Sequence, residues 1–72
     1  MLYVLVWQEN KPGALYPVPK NNHKSAVNLA IELLTKSNFE FNLEEAIDYL
    51  ETDGNYTIPL RNFSVYILVS NH

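Results

Sequence analysis

Three carboxylates at helical spacing, Glu44, Asp48 and Glu51, are the residues of this sequence best placed for shared chemistry. Intervals of i, i+4 and i+7 stack them along one side of an α-helix. Neighbouring carboxylates act as general acid and base when a cleft desolvates one of them and raises its pKa. Here they lie opposite an apolar stripe of Leu43, Ala46, Ile47 and Leu50, so the pattern puts them in water. The other reactive groups do not assemble. His23 and Ser25 are two residues apart and point to different sides of a helix, which excludes a dyad. His23 and His72 are the only histidines, there is no cysteine, and no His-x-x-x-His or Glu-x-x-His spacing occurs. Glu51-Thr52-Asp53-Gly54-Asn55 lacks the alternating ligands and closing Glu of a calcium loop, and reads as a helix end. With only Gly13 and Gly54, the chain has neither a phosphate-cradling loop nor a nucleophile elbow. The expectation is a protein that is not an enzyme, with no catalytic residues, metal or cofactor.

The same carboxylates belong to a longer acidic stretch. Glu40 to Asp53 holds six of the eight acidic residues and no Lys or Arg. Glu44 and Glu45 suit the positive end of a helix dipole, whereas Glu51 and Asp53 sit at the wrong end. Glu44 and Asp48 repel at i, i+4 by a few tenths of a kcal/mol, with no cation between them. A helix selected for stability alone mixes its signs more evenly. The sequence thus favours a docking face of Glu40, Glu44, Glu45, Asp48 and Glu51 for a basic partner protein, or a mimic of nucleic-acid charge acting as an inhibitor. A solvated face that keeps a small protein soluble is the plainer alternative.

Positioning that face requires a folded frame, which the chain supplies in order. Met1–Gln8 reads as a strand, with Leu2, Val4 and Val6 on one side and Tyr3, Leu5 and Trp7 on the other. Two apolar sides suit a central strand, or one whose second side meets another subunit. Glu9–Asn22 reads as a stiff surface loop, given N-K-P-G and Pro17-Val18-Pro19; a polyproline ligand is a weak second reading of the latter. His23–Lys36 is a helix capped by Asn21 or Asn22, with a wide stripe of Ala26, Val27, Leu29, Ala30, Ile31, Leu33 and Leu34. Ser37–Phe41 is a short link whose Phe39 and Phe41 close the core. Asn42 caps the second helix, Glu45 completes a capping box, and Gly54 ends the helix. Asn55–Leu60 and Phe63–Ser70 form an antiparallel hairpin around Leu60–Asn62. The reading is one α+β domain over residues 1–72, of order β-α-α-β-β. A three-stranded, mainly antiparallel sheet packs on a two-helix hairpin, with the first strand beside the last.

Composition bounds the rest. A chain of 72 residues buries only roughly 60% of its unfolded surface, and no disulfide supplements that core. Pairing with a second copy through the apolar strand sides, as a homodimeric assembly module, is therefore an alternative function. The net charge of −3 and only five Lys and Arg argue against nucleic acid as partner. Two helices followed by a hairpin resembles the element order of a winged-helix domain, which implies weak nucleic-acid binding. In that arrangement the helix before the wing enters the groove, and here it would present Glu44, Glu45, Asp48 and Glu51 to phosphates. The apolar N-terminus is too short for a secretory signal or membrane span, so the expected setting is cytoplasmic, with no membrane partner.

Overall fold

The computed structural model describes residues 1–71. Its elements run β1 (Leu2–Gln8), β2 (Ala14–Pro17), α1 (His23–Lys36), α2 (Leu43–Thr52), β3 (Asn55–Pro59) and β4 (Ser64–Asn71). The fold is α+β, and its antiparallel sheet has four strands in the order β2-β1-β4-β3. Three strands were expected. The additional one is β2, inside the stretch that reads as a loop. Tyr16 favours extended backbone, and Pro17 is tolerated because β2 is an edge. Val18, expected on the surface, is buried and donates its N–H to the Leu2 carbonyl at 3.0 Å. The Pro17–Pro19 segment is thus anchored to β1, which leaves little of it for a polyproline groove.

The first strand does pair with the last, from Leu2 opposite Asn71 to Gln8 opposite Val65. Both helices lie on one side of the sheet, α1 over β1 and β4 and α2 over β3. Side chains alternate across a strand, so this side receives Val4, Tyr56, Ile58, Val65 and Ile67. They close a core with Ala26, Val27, Ala30, Leu34, Ala46 and Leu50. Phe39 and Phe41 pack against that core from the link between the helices.

Both helix starts use the expected asparagines. Asn22 Oδ1 accepts from the Ser25 N–H at 2.8 Å, and Asn42 Oδ1 from the Glu45 N–H at 2.9 Å. α2 stops where Gly54 turns to φ 75°, a conformation that favours glycine. The Gly54 carbonyl then accepts from Val69 N–H at 2.8 Å, so one residue ends the helix and starts the β3–β4 pairing. His23, two residues from Ser25, reaches across to α2: its Nε2 lies 3.2 Å from the Glu51 carbonyl.

The two edges share a device. The Val18-to-Leu2 bond sets the alternation along β2, so residue 17 points its backbone nitrogen outward. The Leu60-to-Phe63 bond at 2.8 Å does the same for residue 59 in β3. Proline occupies both positions. Each edge therefore lacks a donor where a further strand would need one.

The buried side of α2 centres on Ala46 and Leu50, both 0% exposed, while Leu43 at the start of its stripe is 51% exposed. Leu50→Ala is expected to lower unfolding free energy by about 2–5 kcal/mol, and Leu43→Ala by under about 1 kcal/mol. Urea unfolding of the two variants checks this; equal losses would mean that α2 packs by a different side.

Candidate functional site

The acidic surface sits on α2 and the link before it. Glu44, Glu45, Asp48 and Glu51 are exposed on the helix, and Glu40 is exposed on the link. Among the described residues, none of the five carboxylates has an ion-pair or hydrogen-bond partner. The salt bridge that does form, Lys36 to Glu32 at 3.0 Å, lies within α1. Glu45 is also without the return bond that would complete a capping box, so only the Asn42 half of that box is made.

The residues on α2 face different neighbours. With Ala46 and Leu50 facing the core, helical spacing turns Glu44, Asp48 and Glu51 to the outer side and toward α1. Glu51 reaches a groove of about 330 Å³ between the helices, whose apolar wall is Val27, Ile31, Leu43 and Ile47 and whose only cation is Lys24. Glu45 turns the other way, toward β3. There it lines a hollow of about 410 Å³ with Tyr49, Asn55, Tyr56, Thr57 and Pro59. Glu40 belongs to neither group.

The hollow beside β3 combines a carboxylate with aromatic rings. Tyr49 is 45% exposed and Tyr56 is 8% exposed, and their ring centroids are 5.8 Å apart with planes tilted by 34°. Burial pushes the Tyr56 phenol above its ordinary pKa, and the Glu45 charge adds to the rise against an opposing effect of the Asn42 backbone. The Glu45 carboxylate and the two tyrosine rings thus line one hollow. The Glu45–Tyr49 half was legible as an i, i+4 pair on one helix side. The Tyr56 half was not, because it depends on how β3 lies along α2.

Among the described residues, no group of three or more His, Cys, Asp or Glu is arranged to hold a metal ion, and no buried side-chain polar atom lacks a partner. The hairpin of β3 and β4 is built into the sheet beside β1 rather than standing free as a wing. Among the described residues no helix is long and apolar enough to cross a membrane. Compared with known proteins, the chain shows no significant match to a family model, a curated protein or a solved structure.

The raised Tyr56 pKa fixes a pH dependence. Above the pH at which the unfolded chain loses its tyrosine protons, about 10, folded Tyr56 still holds its own. The unfolded state then binds fewer protons, so stability present below that pH falls as pH rises through the raised folded value. Urea midpoints at stepped alkaline pH should fall more steeply for the parent than for Tyr56→Phe. Parallel decline of the two would show that Tyr56 titrates as it does in the unfolded chain.

Proposed function

We propose that this chain is a small non-enzymatic interaction protein, regulatory or inhibitory, that docks on a basic partner protein through the outer side of α2. The observation that carries this reading is the set of exposed carboxylates without ion-pair partners among the described residues, adjoining a hollow where Glu45 meets Tyr49 and Tyr56. An Arg or Lys side chain entering that hollow would meet a carboxylate and the face of a tyrosine. Glu44, Asp48 and Glu51 on the outer side would steer the encounter and set its orientation. A partner that normally binds nucleic acid presents the required surface, and occupying it with carboxylates would block its usual ligand. The lack of cysteine suits a reducing, cytoplasmic setting.

The opposite choice, nucleic acid as the ligand of this same side, places carboxylates against phosphates and is disfavoured by elementary electrostatics.

The test uses an arginine-rich peptide as a defined basic probe. Binding should weaken with salt and drop at least about tenfold on Glu44→Gln with Asp48→Asn, and again on Tyr49→Ala. The control pair Glu9→Gln with Glu32→Gln removes as much charge elsewhere and should leave binding within about twofold of the parent. Equal losses from both pairs would reduce the interaction to net charge and remove the reading.

A further inference from the structure

The sheet has a second side that neither helix reaches. β1 contributes Tyr3, Leu5 and Trp7 to it, β4 contributes Tyr66 and Leu68, and β2 contributes Leu15. They are arranged in rows across the strands. Leu15, Leu5 and Leu68 follow one another in register, and the next row pairs Trp7 with Tyr66. Trp7 and Tyr66 stack with centroids 4.9 Å apart and planes 18° from parallel, and the Tyr66 hydroxyl donates to Glu9 Oε1 at 3.0 Å. The aromatic pair is thus held in one arrangement at the rim. β3 adds Asn55 and Thr57, which give the patch a polar border.

We infer that this side of the sheet is a self-association surface on which a second copy of the chain packs sheet against sheet. The surface is independent of the acidic side of α2.

Charge selects the occupant. Among the described residues no strand residue on this side is acidic or basic, and the Glu9 carboxylate at its rim is engaged by the Tyr66 hydroxyl, so a charged partner finds little counter-charge on it. A second copy brings an equally uncharged surface. Sheet-to-sheet packing also puts the two α2 helices on opposite outer surfaces. With sheets about 10 Å apart and a helix layer beyond each, the acidic surfaces stand roughly 30 Å apart, well beyond the ~8 Å screening length at physiological salt. The net charge of −3 therefore opposes this pairing only weakly.

Geometry removes the competing mode. Pro17 and Pro59 blunt both edges, so two copies cannot readily continue one sheet edge to edge. Stacking by a two-fold axis needs no edge donors and makes each copy's leucine row meet the other's. Strand lengths and spacings give about 400 Å² of flat sheet per copy. With side-chain relief the pair buries on the order of 1,000 Å², near the lower bound for a specific interface. An interface of this size belongs to the weak, transient class.

The chain carries its own reporter, because Trp7 is its one tryptophan and lies on this side. Sedimentation of the full chain over a wide concentration range should show the mass rising from 8.3 kDa toward twice that value. Trp7 emission should shift to the red on dilution through the same midpoint. Salt should leave the midpoint within about twofold, unlike docking by α2. Leu15 is 51% exposed, so Leu15→Lys should raise the dissociation midpoint at least about tenfold while the urea midpoint stays near that of the parent. Leu68→Lys is the second variant and should act in the same direction. A mass of 8.3 kDa at every concentration, with constant Trp7 emission, would overturn the inference. So would a dimer that both lysine variants leave intact, or a dimer dispersed by a single-stranded oligonucleotide that quenches Trp7. Because α2 takes no part, failure here leaves the arginine-peptide result standing, and the reverse also holds.

Discussion

The pairing of β1 with β4 joins Leu2–Gln8 to Val65–Asn71, so the two ends of the chain form the middle of the sheet. Contacts this distant in sequence carry a large loop-closure cost, and local helix propensity does not repay it. The repayment comes from side chains that alternate into the core. Val4, Val65 and Ile67 are fully or almost fully buried between the sheet and the two helices. The remaining elements depend on that pairing. β2 and β3 attach to strands that are already central, and α1 covers the seam between β1 and β4. α2 is positioned by α1, by β3 and by the Gly54 turn that feeds into β3. The acidic surface inherits its place from a seam that contains none of its residues.

Where local rules decide, the sequence was legible. The asparagine caps, the Gly54 stop, the alternation in β1 and β4 and the apolar stripe of α1 all reappear as bonds or burial. β2 was missed because Pro12, Pro17 and Pro19 read as breakers, and only knowledge of which strand is an edge makes Pro17 acceptable. The acidic residues all lie on the surface, yet the facing of Glu51 toward α1 and of Glu45 toward β3 follows from the rotation of α2. That rotation is set by Ala46 and Leu50 packing under the sheet. Leu43 shows the limit of reading a stripe from spacing, since it satisfies the periodicity and still lies in a groove open to solvent. Tyr56 entered the candidate site only through tertiary contact with Tyr49.

The molecule divides its surface by chemistry. The helix layer carries carboxylates without ion-pair partners among the described residues, and its tyrosine, Tyr49, helps to shape a hollow beside one of them. The far side of the sheet carries leucines and a stacked Trp–Tyr pair and, among the described residues, no charged strand residue. A small domain ordinarily disperses charge and leaves no broad apolar side uncovered. On the reading proposed here, the two surfaces have separate roles: one recognises cationic side chains, and the other joins two copies so that the acidic helices point apart. Two outward-facing helices would raise the effective affinity for a partner with repeated basic sites.

The most direct test of acidic-surface docking is an amide chemical-shift map of the full chain during titration with the arginine-rich peptide. The account predicts that shifts concentrate on Glu44–Glu51 and on Asn55–Thr57, with Tyr3–Trp7 and Tyr66–Leu68 moving little. Shifts spread evenly over all exposed residues, or centred on the far side of the sheet, would contradict it.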